Sequence, residues 1–591
     1  MPGRLIQQGV RMRKTGAEII VKLLEMEGIT TVAGIPGGSI LPLYDELNRS
    51  SIRHILVRQE QAGGFIAQGM ARSTGKPAVC LATSGPGAMN LLTAVADARS
   101  DSVPIIAITG QVNTSLIGTD AFQEADTFGL SFPITKHSVM VKSPEELLHA
   151  IPEAFAIAVN GRPGPVLIDV PRDVQCASCE FDEWPDVNAV RIHDIRFHTP
   201  ASEYAARMEK ITEALVVSRK PVLYCGGGCN TAAASEELKK FLKSYRLPVV
   251  TSLMGLGCIP ESSGMSAGMV GMHGSYAANV AMHEADLVIA AGVRFDDRAT
   301  GAVSKFCPNA KIVHIDVDAA EVNKIVNADI SVVADVESVF PILVQLAAEK
   351  QEKFASAWQN AEARAVWLEK IMNIKKDNSS LESGRPKNAG NSNPRAFIAS
   401  VPELAGKAGL PGGSLIVTTD VGQHQMWAAQ YYPVEKPRTF LTSGSLGTMG
   451  FGLPAAVGAA LANPDRQIVC FSGDGSILMN IQELATLAEQ NLAVTVIVFE
   501  NGTLGMVYQQ QKYLFNKNYS ASTFAARPDL VAIARGFGIE AADAADDDAW
   551  YEKAFAPDRK RKPFFVRVKI DNEEDVLPFV PGGKANVDAI K

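Results

Sequence analysis

No apolar run in this chain approaches the roughly 18 residues needed to cross a bilayer. No basic excess is present either: the formal net charge is −8 and the pI is near 5.7. A membrane span and a nucleic-acid partner are therefore not expected. Cysteine is sparse, eight in 591 residues with no regular framework. That excludes a disulfide-built fold and points to a reducing compartment, the cytoplasm. Met1 to Gly16 is mildly basic but no apolar core follows it, so no secretory signal is expected. The nine histidines include no HExxH and no close pair. Cys176-x-x-Cys179 and Cys225-x-x-x-Cys229 invite zinc, but a structural reading is preferred. The first pair lies at a domain edge, and the second flanks a glycine run at a strand end.

What is present suits a globular protein, with 47% hydrophobic and 20% charged residues. The length allows about three or four domains. From residue 14 to about 180, short apolar runs alternate with amphipathic segments: 31–34, 78–82, 104–109 and 166–170. Such alternation predicts an α/β unit with a doubly wound parallel sheet. A charged stretch bearing Trp and Pro, 180–200, predicts a linker. A second α/β block contains the runs 221–224, 287–291 and 311–317. Residues 351–370 read as a polar helix, and 377–394, rich in Ser, Asn, Gly and Pro, as a linker. A third α/β block runs from about 395 to 570, and the turn-rich tail after Val580 is expected to fold over something. The domain limits drawn are 12–182, 200–350 and 395–572, with a tail at 573–591. Ala78-Val-Cys-Leu-Ala-Thr-Ser-Gly-Pro-Gly87 faintly echoes Ile468-Val-Cys-Phe-Ser-Gly-Asp-Gly475, and each is followed by Met-Asn and a helix. The outer blocks read as one fold used twice.

The second copy carries chemistry. Ile468–Ser476 and Ile497–Gly505 each read as a buried strand running into a Gly-containing turn. The turns place Asp474 and Asn501 27 positions apart, and about 30 residues make one βα unit plus the next strand. The two turns should therefore sit side by side at the C-terminal edge of a parallel sheet. A carboxylate, an amide oxygen and a helix N-terminus suit Mg²⁺ with a diphosphate, and the G-D-G-S…N pair resembles the thiamine diphosphate (ThDP) fingerprint. ThDP must lose its thiazolium C2 proton, and a carboxylate on its aminopyrimidine ring promotes that loss. Glu60, in Arg58-Gln-Glu-Gln-Ala62 after an apolar strand, is the candidate.

A longer series of motifs then occurs in order. The first block has Gly34-Ile-Pro-Gly-Gly38, Arg58-Gln-Glu-Gln61, Ala82-Thr-Ser-Gly-Pro-Gly87, Gly118-Thr-Asp-Ala-Phe-Gln-Glu124 and Gly161-Arg-Pro-Gly-Pro165. Arg294-Phe-Asp-Asp-Arg298, Asp420-Val-Gly-Gln-His-Gln-Met426, Leu446-Gly-Thr-Met-Gly-Phe-Gly452 and Leu504-Gly-Met-Val507 follow. Across nearly the whole chain the set resembles the catalytic large subunits of acetolactate (acetohydroxyacid) synthases, nearest the bacterial isozyme I type. The resemblance implies three doubly wound α/β domains: pyrimidine-binding, central FAD-binding and diphosphate-binding. It implies decarboxylation of pyruvate on ThDP and ligation of the hydroxyethyl carbanion to a second 2-keto acid, the first common step of branched-chain amino-acid synthesis. ThDP, Mg²⁺ and a structural FAD are the implied cofactors.

The resemblance also implies roles. Glu60 activates the cofactor, and Gln123, Phe122 and Gly37 face the reacting carbon from the first block of a partner chain. Asp474, Asn501 and the Thr503 carbonyl bind Mg²⁺. Met449 wedges under the bent cofactor. Gly422, Gln423, His424, Gly447, Gly473, Gly475, Ser476, Met479, Gly505 and Met506 complete its site. Arg298, as a buried guanidinium, and Met272 meet the second keto acid, with Met506 and Gln510 beside them. FAD falls to Arg162, Gly226, Gly227, Gly228, Thr251, Leu253, Met254, Gly271 and His273, then to Gly292, Arg294, Asp297, Asp316, Val317, Asp335 and Val336. The active site then needs two chains, as a dimer or tetramer, and a separate small regulatory subunit is implied. Departures from the family pattern are Gln59 for His, Glu500 for Asn, Ser445 for Gly, and Gln510 where many members have Trp. The rivals are a pyruvate oxidase-like flavoenzyme, a glyoxylate carboligase, whose position 60 would be apolar, and a silent regulatory subunit.

Overall fold

The computed structural model describes residues 11–190, 199–353, 360–377, 392–557 and 562–591. Among them are three six-stranded sheets, each parallel throughout. Their strands are nearly continuous apolar runs. Ile105–Gln111 and Val494–Glu500 are buried at every position, as strands covered by helices on both faces must be.

Counting strands within each sheet, the first and third share the order 2-1-3-4-6-5. The echo between 78–87 and 468–475 therefore has a structural basis: both segments form the third strand of the same topology and its following turn. The middle sheet has the order 3-2-1-4-5-6, that of dinucleotide-binding folds.

The outer units meet along two helices, Glu60–Thr74 and Gly452–Ala462. A Cβ on Gly69 would lie 2.1 Å from the Ala455 carbonyl oxygen, and one on Gly458 2.0 Å from that of Ile66. Only glycine allows this approach, and it merges the two cores through Ala67, Met70 and Ala71 against Leu453, Ala456 and Val457.

The expected polar helix at 351–370 is corrected. Residues 351–353 end the helix Val336–Lys353, and a separate helix spans Ala361–Asp377. The second is not polar throughout. It buries Trp367, Leu368 and Ile371, and Trp367 Nε1 donates to the Pro221 carbonyl at 3.1 Å. Three apolar residues on one helical stripe outweigh the surrounding charges. The expected linker at 180–200 begins inside a strand, Ser178–Phe181, antiparallel to Met12–Thr15; residues 191–198 lie outside the described ones. Most of the expected linker at 377–394 also lies outside them.

The tail folds over the middle unit. Val580 N donates to the Met272 carbonyl at 2.9 Å, the Phe579 ring stacks on His273, and Asn586 Nδ2 donates to the Ala299 carbonyl at 2.8 Å. Among the described residues no helix is long and apolar enough to cross a membrane.

Candidate active site

Strands one and three of the third sheet are neighbours whose connections leave in opposite directions, and open α/β sheets bind ligands at such a point. Asp474 follows strand three and Asn501 follows strand four, the adjacent strand. Both side chains are buried. Asp474 Oδ2 accepts from Gly502 N at 2.6 Å and Oδ1 from Gly475 N at 3.0 Å. Burial pushes this carboxyl up to about 6. Asn501 Nδ2 donates to Gln423 Oε1 at 3.3 Å, which leaves Oδ1 as the acceptor facing Thr503. Gln423 is itself held by Gln509 and by the Glu574 carbonyl. His424 is buried, its Nε2 has no partner, and burial holds its pKa down to about 3, so the ring is neutral. An oriented amide oxygen, a carboxylate and an unsatisfied imidazole nitrogen form a donor set that fits Mg²⁺ and a diphosphate.

The middle sheet has its own switch point, between strands one and four. Here the chain backbones nearly touch: a Cβ on Gly226 would lie 2.1 Å from the Gly292 oxygen, and one on Gly228 2.9 Å from the Gly292 Cα. Asp316 ends the next strand, and burial pushes its carboxyl up to about 7. His273 Nδ1 is buried without a partner. This cradle, with its orphaned imidazole nitrogen and terminal carboxyl, fits a dinucleotide. Arg162 lies at its rim, with Nη1 2.7 Å from Glu321 Oε1.

One cavity of about 1010 Å³ joins the two edges. It is lined by Asp474, Asn501, Thr503, His424 and Met449 of the third unit and by Gly228, Arg294 and Asp316 of the middle unit, together with Met272, Arg298, Met506 and Gln510. It also takes in Arg162, Gly227, Leu253, Met254, His273, Gly292, Asp297, Val317, Asp335 and Val336. Gly422, Gln423, Gly447, Gly473, Gly475, Ser476 and Gly505 line it as well. Gly226, Thr251, Gly271 and Met479 do not. Gly271 acts indirectly: a Cβ there would meet the Arg298 oxygen at 2.2 Å, and Met272 N donates to that oxygen at 2.8 Å.

The expectation of a buried Arg298 is corrected. Its side chain is 68% exposed, with Nη1 3.6 Å from Met272 Sδ and Nε 3.8 Å from Asp297 Oδ2. The short helix that carries it, Asp297–Thr300, sits at the cavity mouth, where nothing in the same chain covers it.

Glu60, Gln123, Phe122 and Gly37 are not lining residues of this cavity. Glu60 opens its helix and accepts from Asn90 Nδ2 at 3.0 Å. Gln123 has a left-handed backbone, φ +59°, and its carbonyl oxygen would lie 2.7 Å from a Cβ on Gly85. Gly37 packs on Thr83. Phe122 is 88% exposed.

Models of the thiamine pyrophosphate enzyme N-terminal TPP binding domain, central domain and C-terminal TPP binding domain match residues 14–130, 208–343 and 420–568. The chain is 47% identical over 584 residues to the acetolactate synthase isozyme 1 large subunit of Escherichia coli (strain K12), covering 98% of each chain. The chain belongs to the acetolactate synthase large-subunit family. The isozyme 2 large subunit of the same organism is 41% identical, over 98% of this chain and 99% of its own. A probable acetolactate synthase large subunit from Methanocaldococcus jannaschii is 43% identical, over 96% and 94%. Like its family, the chain is a ThDP-dependent enzyme built from three α/β domains.

Sequence reasoning missed several supporting residues. Asn90 holds Glu60, and Asn480 Nδ2 holds the Gly450 carbonyl beside Met449 at 2.8 Å. The repeated Met-Asn after each echo segment was the available signal. Asp420, buried and pushed up to about 6 by that burial, accepts from Gly450 N at 2.8 Å. It opens the Asp420-Val-Gly-Gln-His-Gln-Met426 motif.

Proposed function

We propose that this chain decarboxylates pyruvate and ligates the remaining two-carbon unit to a second 2-keto acid. Pyruvate as acceptor gives 2-acetolactate, and 2-ketobutyrate gives 2-aceto-2-hydroxybutyrate. The observation that carries the reading is the continuous cavity, which leads from the Asp474–Asn501 turn to the Arg298–Met272 mouth. ThDP, when bound, supplies the electron sink for loss of CO₂. Asp474, Asn501 and Thr503 would hold Mg²⁺ against the diphosphate, and Met449 would support the space between the two rings. Glu60 would hold a proton at the aminopyrimidine ring. Gln123 and Phe122 would border the reacting carbon, and Arg298 would orient the acceptor carboxylate.

Two chains complete each site in this reading. The first unit, which carries Glu60, exposes Phe122, Phe128 and Phe132, and the third unit exposes Leu446, Met479 and Phe515. Mutual burial of such apolar surfaces supports a dimer or tetramer. The middle-sheet cradle would hold FAD as a structural group, because the reaction has no net redox step. A separate small regulatory subunit, a cytoplasmic location and the domain limits 12–182, 200–350, 395–572 and 573–591 belong to the same proposal. The test is pyruvate consumption and acetolactate yield with and without ThDP, Mg²⁺ and oxygen. Oxygen-dependent turnover without carboligation would instead favour a pyruvate oxidase-like activity.

Two predictions concern the acceptor. Arg298→Lys keeps the charge but loses the planar fork that grips a carboxylate. Decarboxylation should persist while carboligation falls about tenfold, the low end for a charge-assisted bond at an exposed mouth. Equal loss of both half-reactions would make Arg298 a structural partner of Asp297. Gln510, half-buried in the cavity wall, offers little apolar surface to the extra methylene of 2-ketobutyrate. One methylene in an apolar pocket is worth about 10–200-fold. The parent should show little preference for 2-ketobutyrate over pyruvate, and Gln510→Trp should raise it. Competition at equal concentrations checks this, and a parent ratio of tens of fold would place the pocket elsewhere.

A further inference from the structure

The outer units share a buried charge cluster that the proposed reaction does not use. Arg72 lies in the last turn of its helix, and Asp97 and Asp101 lie at the end of the helix Pro86–Ser100. Their side chains are 6%, 0% and 0% exposed. Arg72 Nη2 is 3.2 Å from Asp97 Oδ2 and 2.9 Å from Asp101 Oδ2, and it also donates to Gln68 Oε1 at 2.7 Å. Two carboxylates face one guanidinium, so the cluster needs further donors to be tolerable in the interior.

Those donors come from the third unit, and from one short segment of it. Gly444 N and Ser445 N donate to Asp101 Oδ2 and Oδ1, both at 2.8 Å. Thr448 Oγ1 donates to Asp97 Oδ1 at 3.0 Å, and Ser443 Oγ donates to the same oxygen. Ser443 Oγ in turn accepts from Thr448 N at 2.8 Å. The Arg72 guanidinium carbon lies 5.1 Å over the Phe451 ring. Ser445 adds a contact to the middle unit: its hydroxyl accepts from Arg294 Nη2. The segment so held, 443–451, carries Gly447 and Met449 and lines the large cavity.

Burial pushes the Asp97 carboxyl up. On Asp101 burial acts the same way, but Arg72 and the Gly444 N–H outweigh it and hold that carboxyl down. An ordinary ion pair would satisfy itself. This cluster, whose three charges all lie in the first unit, is incomplete without the 443–448 backbone and hydroxyls, and that segment is also held at the Ser443 carbonyl, which accepts from Gln425 Nε2 at 2.9 Å.

We infer that Arg72, Asp97 and Asp101 are positioning residues: from the first unit they clamp the 443–449 segment of the third unit in the shape that receives the cofactor. The inference rests on the reading that ThDP binds beside Met449. It assigns one chain's own first unit a part in shaping its own third-unit site, a part separate from anything Glu60 does.

The test uses the full-length protein loaded with FAD. Asp101→Asn puts an NH₂ group against one of the two backbone N–H groups that Asp101 accepts from, Thr448→Val removes one hydroxyl donor without changing shape, and Thr448→Ser restores it. Amide hydrogen exchange across 443–449 is measured without ThDP, and ThDP half-saturation with Mg²⁺ by intrinsic fluorescence. Flavin content and the unfolding midpoint serve as controls. In Asp101→Asn and Thr448→Val, exchange should quicken and half-saturating ThDP should rise about tenfold or more, as for a lost charge-assisted hydrogen bond. Thr448→Ser should return both to the parent values, and Thr448→Val should keep its flavin and its midpoint. ThDP half-saturation and exchange within twofold of the parent in both variants would overturn the clamp. So would weakened ThDP binding that appears only together with lost flavin and a lowered midpoint, because the cluster would then merely hold the fold. If the parent itself fails to bind ThDP, the cofactor reading is what fails, and the exchange comparison still judges the clamp.

Discussion

Glu60→Gln should keep the fold and lose about 10²–10⁴ in kcat, the usual worth of a positioned acid–base group. The side chain stands at the start of its helix, half-buried, and accepts a hydrogen bond from Asn90. A glutamine oxygen can accept that bond too, so little stability is at stake: about 0.3–1 kcal/mol of interaction with the helix dipole. The amide cannot take or return a proton at the aminopyrimidine ring. The loss should therefore appear in kcat with little change in ThDP half-saturation, and circular dichroism should match the parent. A kcat within a factor of two of the parent would show that Glu60 is an ordinary first-turn glutamate.

That a single chain leaves Glu60 outside the Asp474 cavity bears on what a sequence can disclose. The strand edges were legible because each is a local pattern. Thr31–Gly34, Ala78–Ala82 and Leu287–Ala291 fall where the apolar runs end, and Asp474 and Asn501 reach one sheet edge because a βα unit has a nearly fixed length. The distinction between outer and middle units was only half legible. The 78–87 and 468–475 echo hinted at the shared order of the outer sheets, but no local signal announced the different order of the middle one.

What escaped depends on long-range approach. Arg298 looked like a buried guanidinium because its expected role demands one, yet its short helix ends at an open mouth. The span 351–370 looked like a polar helix because charges outnumber its apolar residues, and only the approach of Trp367 to Pro221, at the start of a middle-sheet strand, explains why that ring is buried. The Asp97–Asp101 cluster had no signature at all. Its donors lie more than 340 positions away, and they come within reach only because Gly69 and Gly458 let two helices touch.

Asp474→Ala should abolish ThDP and Mg²⁺ binding together while leaving the flavin in place, since the ion bridges protein to diphosphate and the middle-sheet cradle is built from other residues. Even an outer-shell partner of a metal site typically costs about 10–100-fold in affinity when removed, so loss of a charged ligand should exceed that. The alanine variant also removes the acceptor for Gly475 N and Gly502 N, so the turn itself could loosen. Asp474→Asn separates the two causes. Its amide oxygen can still accept from Gly502 N, but the ligand charge is gone. If the carboxylate binds the ion, the asparagine variant should lose Mg²⁺-dependent ThDP binding nearly as completely as alanine. The same argument sets a pH dependence. Burial raises the Asp474 carboxyl to about 6, and only the ionised form ligates well, so Mg²⁺ affinity in the parent should be steady above pH 6 and fall by about tenfold per unit below it. In the asparagine variant that dependence should vanish. Normal ThDP affinity by titration in either variant would remove Asp474 from the metal site and leave the turn as its only role.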